Sequence, residues 1–265
     1  MGDDRLEYAA LTAQWKALRG RAGDLRVREV AAVGAPRTLL IAECGAAGLP
    51  AVTLAAGVHG DEPAAPAALL SLVRDGLLDP SFAYRIWPCT NPSGYLAGTR
   101  ANAEGDDINR SFRRGGTTPE ARAIVTANRD RTFELSFDLH EDYEASGFYC
   151  YEPMRDGIDN GFGREVVRAI AEVGLPIQDL DDAFDLGYPP EAHHIRTLEP
   201  GRCVPDYAAE HAFFDHLPYS IYMLRRSARC ALTLESPRSL PWHERVAMHR
   251  IAVVTALERL RVKRS

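Results

Sequence analysis

Residues 51–65, AVTLAAGVHGDEPAA, constrain the fold of this chain more than any other stretch, because an apolar run there stops abruptly at a histidine and two acids. Positions 51–56 are short, lack polar alternation and end at Gly57, the pattern of a strand buried on both faces of a parallel or mixed sheet. Pro63 then opens an Ala- and Leu-rich run, so strand, turn and helix follow one another directly. In open α/β sheets ligands sit at the carboxyl ends of strands, and His59 and Glu62 occupy such an end. Three residues apart in a turn that contains Gly60, an imidazole and a carboxylate can converge on one point. A metal can be held there if a second histidine arrives from elsewhere in the chain. The result is a two-His, one-Glu set that leaves a fourth position for water.

At 265 residues, with 46% hydrophobic and 26% charged side chains, the chain has enough apolar material for one sizeable core. A single α/β domain spanning residues 1–265 is expected. The formal net charge of −6 argues against a nucleic-acid partner held through phosphates and against an anionic membrane surface. No apolar run approaches the roughly 20 residues of a bilayer span, and the opening MGDDRLEYAALTAQW has neither a basic n-region nor an apolar h-region. A cytoplasmic location without membrane contact is the expectation. Five scattered cysteines, Cys44, Cys89, Cys150, Cys203 and Cys230, form no CxxC and read as reduced and structural. Nothing in the sequence specifies an oligomeric state.

Around this unit the remaining segments are placed by periodicity and punctuation. Residues 4–20 carry Leu6, Tyr8, Leu11, Trp15 and Leu18 at helical spacing, and the extended stretches 25–33 and 37–44, joined by Gly34, Ala35 and Pro36, read as a hairpin. A helix over 64–78 is followed by a strand over 82–87 that closes in a proline-rich turn through Tyr95. Residues 96–114 lose periodicity and are dense in arginine and asparagine, which marks a functional loop. Thr118 is placed to cap a helix that has Pro119 at its first position. Strands are expected over 133–140 and 147–151, and a helix over 160–173 stops at Gly174. The segment from there through Tyr219 reads as loops over the rim of the sheet. A short helix over 221–224, a strand over 229–235 and a last helix beginning near Ser239 and Pro241 complete the chain. On that helix His243 and His249 are six apart and are both expected to be exposed. The predicted architecture is a mixed, mostly parallel twisted sheet with helices on both faces.

Three predicted strand ends each deliver one part of a metal hydrolase. The first supplies His59 and Glu62, the second supplies His140 from FDLHED, and the third supplies Glu235 from ALTLESP. A catalytic zinc takes neutral imidazoles and a carboxylate and lowers the pKa of its water toward roughly 7. Glu235 is then the natural general base, and later the acid that protonates a leaving amine. HxxE alone is a weak signal, since a lone His or Glu in a turn is most often a surface or packing residue. Asp138, two residues before His140, faces the same side of the strand and can either orient the imidazole or pair with an arginine. Arg100, Asn109 and Arg110 lie in the irregular loop between the two metal-bearing strands. Guanidinium groups there can hold a substrate carboxylate bidentately or stabilise an oxyanion. Arg100 taken singly can equally serve a surface salt bridge, and Arg113 and Arg114 read as solvated charge. Glu141, Asp142 and Glu144 can bind a substrate ammonium or form a solvated acidic loop. His193 and His194, with the acidic run 179–185, offer a second and weaker metal site. HEXXH, P-loop, Rossmann, GxSxG and zinc-finger patterns are absent, which sets aside nucleotide enzymes and serine hydrolases.

HGDE, NPSGY, the spacing from Arg100 to Asn109 and Arg110 in TRANAEGDDINRSF, DLHED and TLESP stand in the order and roughly the spacing of the zinc carboxypeptidase superfamily. The sequence resembles that superfamily over about residues 50–237. Its members include pancreatic-type metallocarboxypeptidases, bacterial murein-peptide amidases and the succinylglutamate desuccinylase/aspartoacylase branch. The resemblance implies one zinc ion held by His59, Glu62 and His140, with Glu235 as acid and base. It further implies that Arg100 polarises the scissile carbonyl while Asn109 and Arg110 hold a free carboxylate. One departure is mild: Ile108 stands in the run Asp107, Ile108, Asn109, Arg110 where the family has leucine. A tyrosine on a mobile loop ahead of the catalytic glutamate is also a feature of carboxypeptidases proper, and Tyr207, Tyr219 and Tyr222 are all candidates. The implied activity is zinc-dependent hydrolysis of an amide bond in a small peptide or peptide-like substrate with a free carboxylate. Deacylation of an N-acyl amino acid is the alternative that uses the same residues. A non-catalytic metal- or ligand-binding protein on this fold would have lost a ligand or Glu235, and all four are present.

Overall fold

A nine-stranded sheet organises the computed structural model, which describes residues 6–20, 24–113, 116–179, 195–205 and 217–264. In chain order its strands are β1 (Arg26–Val30), β2 (Leu39–Cys44), β3 (Ala51–Ala56), β4 (Ala83–Trp87), β5 (Phe133–Asp142), β6 (Tyr149–Tyr151), β7 (Ile195–Glu199), β8 (Arg202–Pro205) and β9 (Ala228–Pro237). Across the sheet they are arranged β1-β2-β4-β3-β5-β9-β6-β8-β7. The centre, β4-β3-β5-β9, is parallel, and β2 and β6 flank it antiparallel. The carboxyl ends of β3, β5 and β9 therefore open on one edge of the sheet, where ligands gather in such folds.

The mixed sheet with helices on both faces is the architecture the sequence predicts. Val52, Leu54 and Ala56 of β3 pack into one core and Ala55 into the other, so the apolar run of this strand is buried on both sides. The first core is closed by the helices Tyr8–Ala17, Ala64–Arg74, Phe162–Glu172 and Trp242–Arg264. The second is closed by Pro119–Ala127 and Tyr219–Arg226. Thr118 caps its helix as expected, its side chain accepting from Ala121 N–H at 3.3 Å, with Pro119 in the first turn. Alternation along the strands then sorts the polar residues. Leu135, Phe137 and Leu139 of β5, and Leu232 and Leu234 of β9, face the first core. Asp138, His140, Thr233 and Glu235 consequently face the other way, while Glu141 and Ser236 turn back toward the last helix.

Two segments differ from the sequence reading. Part of the stretch read as loop forms the antiparallel pair β7 and β8. Its signal was masked because Arg202, fully buried, lies in β8 and pairs with Glu152 at 2.8 Å, Glu199 at 3.1 Å and Asp159. The turn after β4 contains a one-and-a-half-turn helix, Pro92–Ala97, too short to show a period. The Asn91 side chain caps it by accepting from Gly94 N–H at 2.9 Å, and Gly98 ends it in the left-handed region at φ 67. His193, His194, Tyr207 and most of the acidic run 179–185 lie outside the described residues. Among the described residues no helix is long and apolar enough to cross a membrane.

This capped turn presses directly on HGDE. A Cβ on Gly60 would sit 1.9 Å from the Gly94 carbonyl carbon and 2.1 Å from the Tyr95 nitrogen, so only glycine fits. Gly60→Ala is expected to force the two turns apart at a cost of roughly 1–3 kcal/mol. The loss is read as a lower urea midpoint, and an unchanged midpoint would mean that the turns are not in contact.

Candidate active site

Gly57, at φ 64, turns the chain at the end of β3, and the following residues are held from two sides. Asn91 Nδ2 donates to Val58 O at 3.2 Å and to Arg100 O at 3.1 Å, while Gly60 N–H donates to Thr99 O at 3.0 Å. This anchoring turns His59 and Glu62 inward, and both are buried. His140 reaches them from β5, with ring centroids of the two histidines 4.9 Å apart. Glu62 lies between the rings: Oε1 is 2.5 Å from His59 Nδ1, and Oε2 is 2.9 Å from His140 Nδ1. Candidate ligand atoms of the three residues all fall within 4.8 Å of one another, and no other such group occurs among the described residues.

The far nitrogen of each ring faces a carboxylate. His59 Nε2 is 3.3 Å from Asp107 Oδ1, and His140 Nε2 is 3.1 Å from Asp138 Oδ2. Asp138 thus meets the imidazole, not an arginine. A carboxylate on the Nε2 side leaves Nδ1 as the nitrogen turned toward Glu62 in both rings. Both Nδ1 atoms converge on the Glu62 carboxylate, where a proton or a cation between nitrogen and oxygen makes the contact favourable. Burial alone would raise the Glu62 carboxyl, but His59 and His140 outweigh it and hold the group well below the usual carboxylate range. Burial would lower His140, yet Asp138, Glu62 and Glu235 raise it well above the ordinary histidine value. Asp107 is likewise held low, because pairing with His59 and the charge of Arg100 outweigh its burial. The three residues fit a divalent metal: two imidazole nitrogens and a carboxylate, already aimed at one another.

All seven residues singled out from the sequence line one cavity of about 370 Å³. Arg100, half-exposed, forks onto Asp107 Oδ2 through Nε at 3.2 Å and Nη2 at 3.0 Å, and its Nη1 lies 3.3 Å from His59 Nδ1. The Asn109 amide oxygen accepts from Tyr219 N–H at 2.9 Å, which fixes the amide and leaves its NH2 group as the free donor. Arg110 donates to Asn109 O at 3.1 Å and stands beside it in the wall. Glu235 is the register partner of His140 across β5 and β9 and of Tyr149 across β6. Burial pushes its carboxyl well above the usual range, with His140 acting in the opposite direction.

Several residues were missed or misplaced by the sequence reading. Tyr149 and Tyr151 line the cavity, and the Tyr149 hydroxyl donates to Asp142 Oδ2 at 2.5 Å. Their alternation in FYCYE was the available signal, but a strand of three residues gives it little length. Tyr219 and Tyr222 are buried away from the cavity. The Tyr219 hydroxyl is 3.3 Å from Thr53 Oγ1, and both rings pack on Phe112. Glu141 is neither solvated nor poised for a substrate ammonium. It is buried between Arg245 and Arg238 and accepts from Ala64 N–H at 2.8 Å. Burial pushes its carboxyl up to about 7, against the pull of Arg245. His243 is exposed as expected, but His249 is fully buried, with Nε2 3.0 Å from Ser236 Oγ.

Residues 48–157 match the family model of the succinylglutamate desuccinylase/aspartoacylase catalytic domain. No curated protein sequence matches. Among solved structures, a candidate metallopeptidase from Shewanella amazonensis SB2B is 22% identical and superposes with a TM-score of 0.73 over 96% of this chain and 92% of the other. A metallo-carboxypeptidase from Burkholderia cenocepacia is 19% identical, with a TM-score of 0.65 over 96% of this chain and 69% of the other. Carboxypeptidase A from Helicoverpa armigera, at 14% identity, gives 0.67 over 97% and 74%. The chain shares its fold with these metallopeptidase and carboxypeptidase structures. The segment similar to the desuccinylase/aspartoacylase family model contains His59, Glu62, Arg100, Asn109, Arg110 and His140.

Two outcomes are expected from this geometry. Asp107→Asn or Asp138→Asn removes the carboxylate behind one imidazole and should weaken metal binding about 10- to 100-fold, measured by competition with a chromophoric chelator. His249 gives a pH test. Burial lowers its pKa from 6.5 to about 3, so between those values the unfolded chain binds a proton that the folded chain does not. Stability contributed by this residue is complete above 6.5 and is lost as the pH falls toward 3. His249→Gln should reduce the slope of stability against pH in that window by up to about 1.4 kcal/mol per pH unit. Equal slopes in chemical denaturation would refute the assignment.

Proposed function

We propose that the chain is a zinc-dependent amide hydrolase acting on a small peptide or peptide-like molecule with a free carboxylate. The observation that carries this reading is the single cavity in which His59, Glu62, His140, Glu235, Arg100, Asn109 and Arg110 meet. Zinc held by the first three would supply Lewis acidity and a water acidified toward a pKa of about 7. Glu235, in the cavity wall beside His140, takes the proton of the attacking water and delivers it to the leaving nitrogen. Arg100 donates to the carbonyl oxygen as charge develops there. The Asn109 amide and the Arg110 guanidinium orient the substrate by its carboxylate. Asp107 serves both sides of this arrangement, since it faces His59 and grips Arg100.

The matched family model favours a second reading, deacylation of an N-acyl amino acid, which places the same residues on the other side of the amide. Both activities are expected to be metal-dependent. Glu235→Gln should keep zinc and lose about 10²- to 10⁴-fold in turnover, whereas His59→Ala should lose both. The test follows amino acid release from short peptides against acyl acid release from N-acyl amino acids, with Glu235→Gln as the blank. Peptide cleavage supports the first reading and acyl release the second. Silence on both with zinc bound would leave a binding protein that retained the ligand set.

A further inference from the structure

Behind the cavity, on the side of the sheet where apolar packing rules, four polar side chains are buried together. β5 and β9 are in register, so His140 pairs with Glu235 on the cavity face, and the next pair along, Glu141 and Ser236, projects to the opposite face. Both are gripped by the last helix. Arg245 Nη1 pairs with Glu141 Oε1, and His249 Nε2 is 3.0 Å from Ser236 Oγ. Arg245 and His249 are four residues apart, one above the other on the same helix face. All four are at most 8% exposed, so none is held there by solvent.

From Glu141 the contact continues into the ligand set. Its backbone N–H donates to Glu62 Oε2 at 3.2 Å, and its carboxylate accepts from Ala64 N–H two residues beyond Glu62. Arg238, three residues past Glu235, completes the enclosure: it lies 3.7 Å from Glu141 Oε2 and donates to Asp61 O inside HGDE. The last helix thus touches the neighbours of His140 and Glu235 at two of the three chemical strand ends, and through Glu141 it reaches the Glu62 carboxylate.

We infer that Arg245 and His249 are positioning residues: Arg245 acts through Glu141 to hold Glu62 in its metal-binding orientation, and His249 acts through Ser236 to set Glu235 against the metal position. The apolar alternative for such a helix face is always open to a sequence, and burying two pairs of polar groups has a desolvation cost. Here Arg245 Nη1 and His249 Nε2 are each matched by a partner next to a chemical residue. The last helix works as a two-point gauge between the ligand strand and the acid/base strand. This rests on the metal reading of the cavity given above.

The test separates the two points. Arg245→Met should weaken zinc binding about 10- to 100-fold in chelator competition and change the visible absorption of the cobalt-substituted protein, with Arg245→Lys recovering part of both. His249→Gln should leave zinc affinity and the cobalt spectrum unchanged and lower kcat roughly 10- to 100-fold at constant KM, on whichever substrate the panel above identifies. Met248→Ala, a fully buried cavity mutation on the same helix, is the stability control and should lower the denaturation midpoint without changing metal affinity. Wild-type zinc affinity in Arg245→Met, or an equal loss of zinc in Met248→Ala, would overturn the proposal. So would a His249→Gln protein with unchanged kcat. Absence of zinc binding by the wild-type chain would instead refute the metal reading itself.

Discussion

Everything at the cavity depends on a carboxylate being buried, Glu62, and on what makes that burial tolerable. Removing a charged carboxyl from water costs several kcal/mol unless charge and hydrogen bonds replace the water. Glu62 obtains both: His59 on one oxygen, His140 and the Glu141 N–H on the other. Two of those partners arrive from β5, which lies beside β3 in the sheet but far along the chain. The site therefore exists only once the parallel pair has formed. The same sharing explains the opposed shifts at Glu62 and His140, since one side gives up the proton affinity that the other gains.

A second constraint is the two-residue period of the strands. It turns neighbouring residues of LHED and LESP to opposite faces, so that each chemical residue has a polar neighbour on the packing side. Without the tertiary contacts, Glu141, Ser236, Arg245 and His249 look like buried polar residues that ought to destabilise a core. Across the last helix Glu141 pairs with Arg245 and Ser236 with His249, which offsets part of that cost and leaves Arg245 Nε and His249 Nδ1 without a hydrogen-bond partner among the described residues. Packing and the cavity are joined at these residues, because the groups that hold the helix on the sheet also abut Glu62, His140 and Glu235.

Much of the fold was legible because the relevant signals are local. The apolar run of β3 ends at Gly57, Thr118 and Pro119 open a helix, and the strand carrying His140 alternates Phe133, Leu135, Phe137 and Leu139 with polar residues. Each depends on neighbours in sequence. The β7 and β8 pair was not legible, since Arg202 in β8 contributes no apolar signal and is neutralised by three acids drawn from other segments. His249 was assigned to an exposed face because helix periodicity gives the angle between two residues but not which angle faces the sheet. The short β6 hid Tyr149 and Tyr151 for the same kind of reason: three residues cannot display a period.

The sequence by itself determined the types and order of the chemical groups: the HGDE turn after a buried strand, the arginine loop, the second histidine and the late glutamate. These follow from residue identity and from short-range rules of strand, turn and cap. Tertiary structure alone decided which nitrogen of each histidine faces Glu62, which acid stands behind each ring, that Asn109 presents its NH2, and that His249 and Arg245 are inside. Those are decisions about direction between segments remote in the chain. They are made only when the parallel strands align their carboxyl ends and the last helix closes over the opposite face.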